Sequence, residues 1–229
     1  MSQIPWLEGK QGFPPINQAL ADPDGLLAAG GDLSSERIIS AYRSGIFPWF
    51  EEDQPILWWS PNPRAVLIPT DIHISKSLKK TLRRHTYTLE FDTHFLEVVE
   101  ACAGVRNYTD GTWITEEMIE AYSHLHNLGV AHSVEVWDGS NLVGGLYGLA
   151  LGKVFFGESM FSRANDTSKI ALVFLAEHLQ KWGFELIDCQ VENDHLNSLG
   201  AQCIERVDFK KHLENLLPSE GFESMWPTG

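Results

Sequence analysis

Asp188 and Gln190 stand two residues apart in Leu186-Ile187-Asp188-Cys189-Gln190-Val191, a run that otherwise reads as an apolar strand. Strand alternation sends Leu186, Asp188 and Gln190 to one face and Ile187, Cys189 and Val191 to the other, so a carboxylate and an amide would project side by side. An aspartate in such a strand is costly unless it is paired or reaches a cavity. Two readings stay open: a pair that holds one substrate, or a strand end whose aspartate meets water or caps the next helix. A second carboxylate, Glu158, lies in Gly157-Glu158-Ser159-Met160-Phe161-Ser162-Arg163, and a structural pairing with Arg163 is the expectation there.

The other chemical signal is cationic. In Ser75-Lys76-Ser77-Leu78-Lys79-Lys80-Thr81-Leu82-Arg83-Arg84 a cap residue opens a stretch without breakers. Lys76, Lys79, Lys80, Arg83 and Arg84 fall at i, i+3, i+4, i+7 and i+8, one continuous helical face, while Leu78 and Leu82 can dock on a core. Such a face tracks phosphates or is simply a solvated surface, and spacing alone leaves the two evenly matched. The histidines give no HExxH, and His124 and His126, two apart on a predicted helix, point different ways, so no metal site is expected. Gly144-Gly145-Leu146-Tyr147-Gly148 fits no nucleotide-binding glycine pattern and reads as strand glycines at a bulge or close approach. No P-loop and no GxSxG elbow is present, and no cofactor is expected.

The elements that must position these residues follow from breakers and periodicity. The first ~60 residues are rich in turns, with one helix after Ser34, an apolar stripe at Ile38, Ile39 and Tyr42, and Gly45 as stop. From Arg64 onward the pattern is regular: strand 65–68, helix 75–84, strand 87–91, helices 95–102 and 115–128, then a three-strand meander over 132–161. Helix 168–182, strand 184–191 and a short helix over 193–200 complete an α/β fold with a mixed sheet. With 43% hydrophobic and 21% charged residues in 229, a packed core is expected. The formal charge of −14 repels nucleic acid on average, so any RNA contact must be a local patch. Three cysteines without CxxC spacing, no signal-like N-terminus and no apolar run long enough for a bilayer point to the cytosol and to no membrane partner.

Five segments carry a resemblance: Gly25-Leu26-Leu27-Ala28-Ala29-Gly30-Gly31-Asp32-Leu33, Gly45-Ile46-Phe47-Pro48-Trp49-Phe50, Leu57-Trp58-Trp59-Ser60-Pro61, Gly157-Glu158-Ser159-Met160-Phe161-Ser162 and Leu186-Ile187-Asp188-Cys189-Gln190. They resemble the bacterial leucyl/phenylalanyl-tRNA–protein transferases, a resemblance that runs from about Phe13 to Phe209. The resemblance implies a small N-terminal domain over 1–62 and a GNAT-like acyltransferase domain over 63–229. It implies transfer of Leu or Phe, with Met as a further candidate, from aminoacyl-tRNA to proteins beginning with Arg or Lys, as a step toward N-degron degradation. It assigns tRNA binding to Lys76, Lys79, Lys80, Arg83 and Arg84, and the terminal adenosine to Trp49 and Trp113. An apolar pocket for the transferred side chain maps to Leu146, Phe155, Leu172, Leu175, Leu179 and Ile187.

Within that scheme Gln190 would accept a hydrogen bond from the attacking amine, Asp188 would orient it, and Glu158 would grip the cationic acceptor. Asp188 or a water would finally take the proton. Arg163-Ala164-Asn165-Asp166-Thr167-Ser168-Lys169 lacks the glycine-rich turn of an acyl-CoA site, which argues against an acyl-CoA N-acyltransferase. A non-catalytic tRNA-binding module would need the basic helix alone. A monomer is expected, although no feature of the sequence sets the oligomeric state.

Overall fold

The structure is a computed structural model that describes residues 4–84, 87–106, 114–219, 221 and 223–227. Its first part is β1 (Trp6–Leu7), β2 (Leu26–Gly30), α1 (Ser35–Arg43), β3 (Phe47–Pro48) and β4 (Leu57–Trp59). These strands form a sheet in the order β1-β2-β4-β3. Ser34 occupies the cap position of α1 but its hydroxyl makes no capping bond; Asp32 instead accepts the Ser34 N–H at 2.9 Å. Gly45, at φ +76°, ends the helix in the left-handed conformation that a side chain would strain.

The second part runs β5 (Arg64–Leu67), α2 (Lys76–Arg84), β6 (Thr88–Phe91), α3 (Phe95–Arg106), α4 (Glu116–Asn127), β7 (Ala131–Asp138), β8 (Asn141–Leu151) and β9 (Val154–Ser162). It continues with α5 (Thr167–Trp182), β10 (Leu186–Gln190), α6 (Asp194–Asn197), β11 (Gln202–Ile204) and α7 (Arg206–Leu216). Seven strands form a sheet in the order β11-β5-β10-β9-β8-β7-β6. The sheet is mixed, as expected: β9 and β10 are parallel, and the other neighbouring pairs are antiparallel. A parallel pair needs a long crossover, which α5 provides.

The terminal strand and helix are a correction. The predicted helix over 193–200 is confined to Asp194–Asn197, and β11 and α7 follow it. The α7 signal was present in the spacing of Phe209, Leu213 and Leu216, of which Phe209 and Leu213 are buried. The strand glycines behave as expected. A Cβ at Gly148 would sit 2.2 Å from the Phe156 carbonyl, and the register of β8 on β9 shifts between Tyr147 and Gly148. A Cβ at Gly144 would meet Thr167 at 2.4 Å, so glycine lets the first turn of α5 lie directly on β8.

The two sheets share buried contacts. One core cluster joins Leu7, Ile38, Tyr42 and Trp58 of the first part to Tyr147, Phe156 and Phe209 of the second. A second cluster fills the space between α5 and the other face of the large sheet. Among the described residues, no helix is long and apolar enough to cross a membrane.

Candidate active site

Strands β9 and β10 pair only from Val154 and Leu186 to Phe156 and Asp188. Beyond that point β9 runs on to Ser162 beside β8, while β10 slips register against β5 between Asp188 and Gln190 and stops. The space between parting parallel strands, at their carboxyl ends, is where open sheets receive ligands. Here it is a cavity of about 580 Å³. Leu146, Phe155, Leu172, Leu175 and Ile187 line it and make it chiefly apolar. Leu179, expected among them, is buried in the core instead. Seven residues of helix from Leu172 move a side chain about 10 Å along the axis, and the cavity lining on α5 is Ser168, Leu172 and Leu175.

The side-by-side projection of Asp188 and Gln190 toward one substrate is corrected. Asp188 is fully buried, and its two oxygens accept from Arg64 Nε at 2.8 Å and Nη2 at 2.6 Å. Arg64 is itself sandwiched between the rings of Phe47 and Phe209, 4.8 and 4.7 Å from their centroids, so one cation spans both parts of the molecule. Asp188 Oδ1 also accepts the Gln190 N–H at 3.0 Å. Gln190 has φ +63°, a left-handed conformation that breaks strand alternation and costs a non-glycine residue about 1–3 kcal/mol. The carboxylate thus fixes the Gln190 backbone, and the bulge re-aims its side chain.

That side chain meets Glu158. Gln190 Nε2 donates to Glu158 Oε1 at 2.8 Å, and the same oxygen accepts from the Tyr42 hydroxyl at 2.6 Å. The Tyr122 hydroxyl donates to Oε2 at 3.0 Å and lies 2.6 Å from that of Tyr42. Burial pushes the Glu158 carboxyl up to about 7, against the lowering effect of the two tyrosine hydrogen bonds and of Arg64 and with the help of Asp188. Burial first, and Glu158 next, raise both phenols well above their ordinary range, so they remain donors. The expected pairing of Glu158 with Arg163 is not formed. Tyr42, Tyr122 and Gln190 occupy the Glu158 carboxylate, and Arg163, past the end of β9, donates to the Leu142 carbonyl at 3.1 Å. A thiolate nucleophile is not on offer at Cys189, because burial and then Asp188 push its thiol far up.

An apolar chamber lined in part by an oriented amide and by a carboxylate near neutrality, which two buried phenols hold from behind, suits chemistry on an apolar acyl group. Comparison with known proteins is decisive for the family. Residues 66–214 match the leucyl/phenylalanyl-tRNA protein transferase family, and residues 31–62 match that family's N-terminal domain. The chain belongs to the leucyl/phenylalanyl-tRNA–protein transferase family. It is 60% identical over 205 residues to the leucyl/phenylalanyl-tRNA–protein transferase of Pseudomonas fluorescens SBW25, covering 90% of this chain and 91% of that one. The transferase of Aromatoleum aromaticum is 59% identical over 212 residues, covering 93% and 90%. Among solved structures, a GCN5-related N-acetyltransferase from Kribbella flavida matches with a TM-score of 0.39 and 13% identity, over 72% of this chain and 58% of that one.

Trp49 is exposed, lines the cavity, and packs edge-on against Trp59 at 5.5 Å. Trp113 lies outside the described residues. Lys76, Lys79, Lys80, Arg83 and Arg84 are all exposed on α2, while Leu78 is buried and Leu82 packs on the core. Thr81 donates to Asp166 Oδ2 at 3.2 Å, which ties α2 to the turn that opens α5. Ser168, in the first turn of α5, lines the cavity.

Sequence reasoning missed Arg64, Tyr42, Tyr122 and His195. The first three carried no local signal, since their partners lie 36 to 124 residues away. His195 lines the cavity on α6, with a buried Nε2 that has no hydrogen-bond partner among the described residues. The fold also brings together Asp92, His126 and His132, whose nearest ligand atoms lie within 4.8 Å of one another. Their nitrogens already face oxygens: His126 Nδ1 the Ala131 carbonyl at 2.8 Å, and His132 Nδ1 the Asp92 carboxylate at 2.8 Å.

Proposed function

We propose that this chain moves leucine or phenylalanine from aminoacyl-tRNA onto the α-amine of cytoplasmic proteins that begin with Arg or Lys, so marking them for degradation. It works without a cofactor and as a monomer, with residues 1–62 a small N-terminal domain and 63–229 the GNAT-like acyltransferase domain. The observation that carries this reading is the apolar chamber lined in part by Glu158 and Gln190, with the buried hydroxyls of Tyr42 and Tyr122 holding the Glu158 carboxylate from behind. Names of relatives that are 60% identical over nine-tenths of the chain support the donor and acceptor classes.

The reaction is aminolysis of an ester. Leu146, Phe155, Leu172, Leu175 and Ile187 hold the acyl side chain, and Trp49, with Trp113, stacks on the terminal adenosine, where stacking is worth about 1–3 kcal/mol per base. Because Gln190 Nε2 is engaged by a carboxylate, its carbonyl oxygen is the atom that accepts a hydrogen bond from the incoming amine. The amine's lone pair forms the C–N bond, the C–O bond to the ribose breaks, and the surplus proton passes to Glu158 and on to the departing hydroxyl. A terminal amine titrates near ~7.7–8.0, so a carboxyl near 7 is matched to accept its proton. Asp188, locked by Arg64, is a positioning residue that acts through the Gln190 backbone. Glu158 also favours a cationic N-terminal residue by charge.

Label transfer from radioactive leucyl-tRNA to two peptides, one beginning with Arg and one with Ala, tests the reaction. Transfer to the Arg peptide only, abolished by prior ribonuclease treatment, is expected. Tight tRNA binding with transfer to neither peptide would overturn the proposal and leave a binding module.

The basic face of α2 supports tRNA backbone binding. Replacing Lys79, Lys80 and Arg83 together by Ala is expected to raise KM for the aminoacyl-tRNA while leaving kcat and the KM of a short acceptor peptide near native values. Each lost phosphate contact should flatten the log–log dependence of affinity on salt by about 0.7–0.9. An unchanged salt slope would remove α2 from the interface.

A further inference from the structure

The chamber's apolar wall has a second layer, and that layer comes from the far end of the chain. Trp226 is 9% exposed and belongs to the same core cluster as Leu146, Phe155, Leu172, Leu175 and Ile187. Its ring stacks on Phe155 at 5.9 Å with 26° between planes, and Phe155 lines the cavity. On its remaining sides Trp226 meets Phe91 at 5.3 Å, Trp182 at 4.9 Å, Phe184 at 6.4 Å and His132 at 4.1 Å.

The placement of this ring is set by directed bonds. Trp226 Nε1 donates to Asp92 Oδ2 at 3.1 Å. The backbone around it is pinned to the turn between β8 and β9: Gly152 N–H donates to Glu223 O at 2.8 Å, and Met225 N–H donates to Gly152 O at 3.0 Å. A Cβ at Gly152 would lie 2.4 Å from Leu216 O, so glycine is what lets the end of α7 and the chain beyond it come this close to the sheet. A side chain free at one face would let its neighbours relax; one held by two backbone bonds and an indole hydrogen bond cannot follow Phe155 if that ring moves.

We propose that Trp226 is a positioning residue for donor selection: by backing Phe155 it fixes the chamber's depth and so the relative use of leucyl and phenylalanyl donors. The inference rests on the function proposed above. With the backing removed, Phe155 can swing outward and the chamber deepens. A leucyl side chain then leaves unfilled space, whereas a phenylalanyl ring fills more of it.

The test measures kcat/KM for leucyl-tRNA and for phenylalanyl-tRNA with a fixed Arg-peptide acceptor, in the native enzyme and in Trp226→Ala and Trp226→Phe. The phenylalanyl-to-leucyl ratio is expected to rise roughly 5-fold in Trp226→Ala and about 2-fold in Trp226→Phe. The peptide KM should stay within about 2-fold of native. A merely structural role lowers both donor rates together and leaves their ratio alone, so a native ratio in the folded variants overturns the inference. If Trp226→Ala does not fold, the ratio in Trp226→Phe decides. A native enzyme that transfers neither residue would instead overturn the function proposed above, and this inference with it.

Discussion

Replacing Glu158 by Gln is expected to cut kcat/KM for the acceptor about 100-fold or more while making the protein more stable above pH 7. Both effects have one cause. Glu158 is 8% exposed and its carboxyl is pushed from 4.5 to about 7, chiefly by burial. Between those values the folded protein holds a proton that the unfolded chain has released. Stability from this group is therefore complete below 4.5 and is lost as the pH rises through about 7. The rise corresponds to roughly 3 kcal/mol, an order-of-magnitude figure, at about 1.4 kcal/mol per pH unit.

Gln carries no charge and escapes that penalty. Differential scanning calorimetry should show Tm of Glu158→Gln above native at pH 8 by several degrees, at about 2–4 °C per kcal/mol, with the difference shrinking as the pH falls and vanishing below 4.5. Activity should move the other way. In the native enzyme kcat/KM should climb with pH through about 7, as Glu158 ionises, and the residual activity of the variant should lack that step. A variant with native kcat/KM would show that the proton goes elsewhere. Stability unchanged at pH 8 would show that Glu158 ionises without strain.

Breaking the Arg64–Asp188 pair is the second large effect. The two side chains are 1% and 0% exposed, and removal of either partner leaves an uncompensated buried charge. Arg64→Ala or Asp188→Ala should each cost about 3–5 kcal/mol of stability, read from urea unfolding. Joint replacement, Arg64→Met with Asp188→Leu, should recover most of that loss, because apolar side chains of similar volume suit a site already walled by Phe47 and Phe209. Activity should not recover. Without Asp188 Oδ1 to accept its N–H, Gln190 has no reason to keep φ +63°, and its amide leaves Glu158.

The split identifies the role. kcat of the double variant should stay about 100-fold below native, while tRNA affinity, which the proposed function places on the exposed face of α2, changes little. If stability and kcat return together, Asp188 serves the fold alone. If tRNA affinity falls as far as kcat, the aspartate belongs to the binding surface instead.

Local pattern carried much of this protein. The basic face of α2 was legible because five cations at helical spacing need only the helix itself to share a face. The meander β7–β9 was legible too, because its turns carry their own breakers. The resemblance put Leu179 in the side-chain pocket, but it packs in the core and does not line the cavity, because likeness to a family assigns a role and not how far along a helix a cavity extends. Strand alternation failed at Gln190, where a backbone bond to Asp188 holds a conformation that no strand propensity predicts.

The family, the mixed α/β architecture and the chemical types present could all be read along the chain: two carboxylates, an amide and a cationic helix. Which carboxylate does what was decided only by the tertiary structure. Asp188 is silenced by an arginine 124 residues away, and Glu158 is tuned by a tyrosine 116 residues away and another 36 residues away. Burial and charge pairing are properties of the packed interior. They act through space, and no spacing along the chain encodes them.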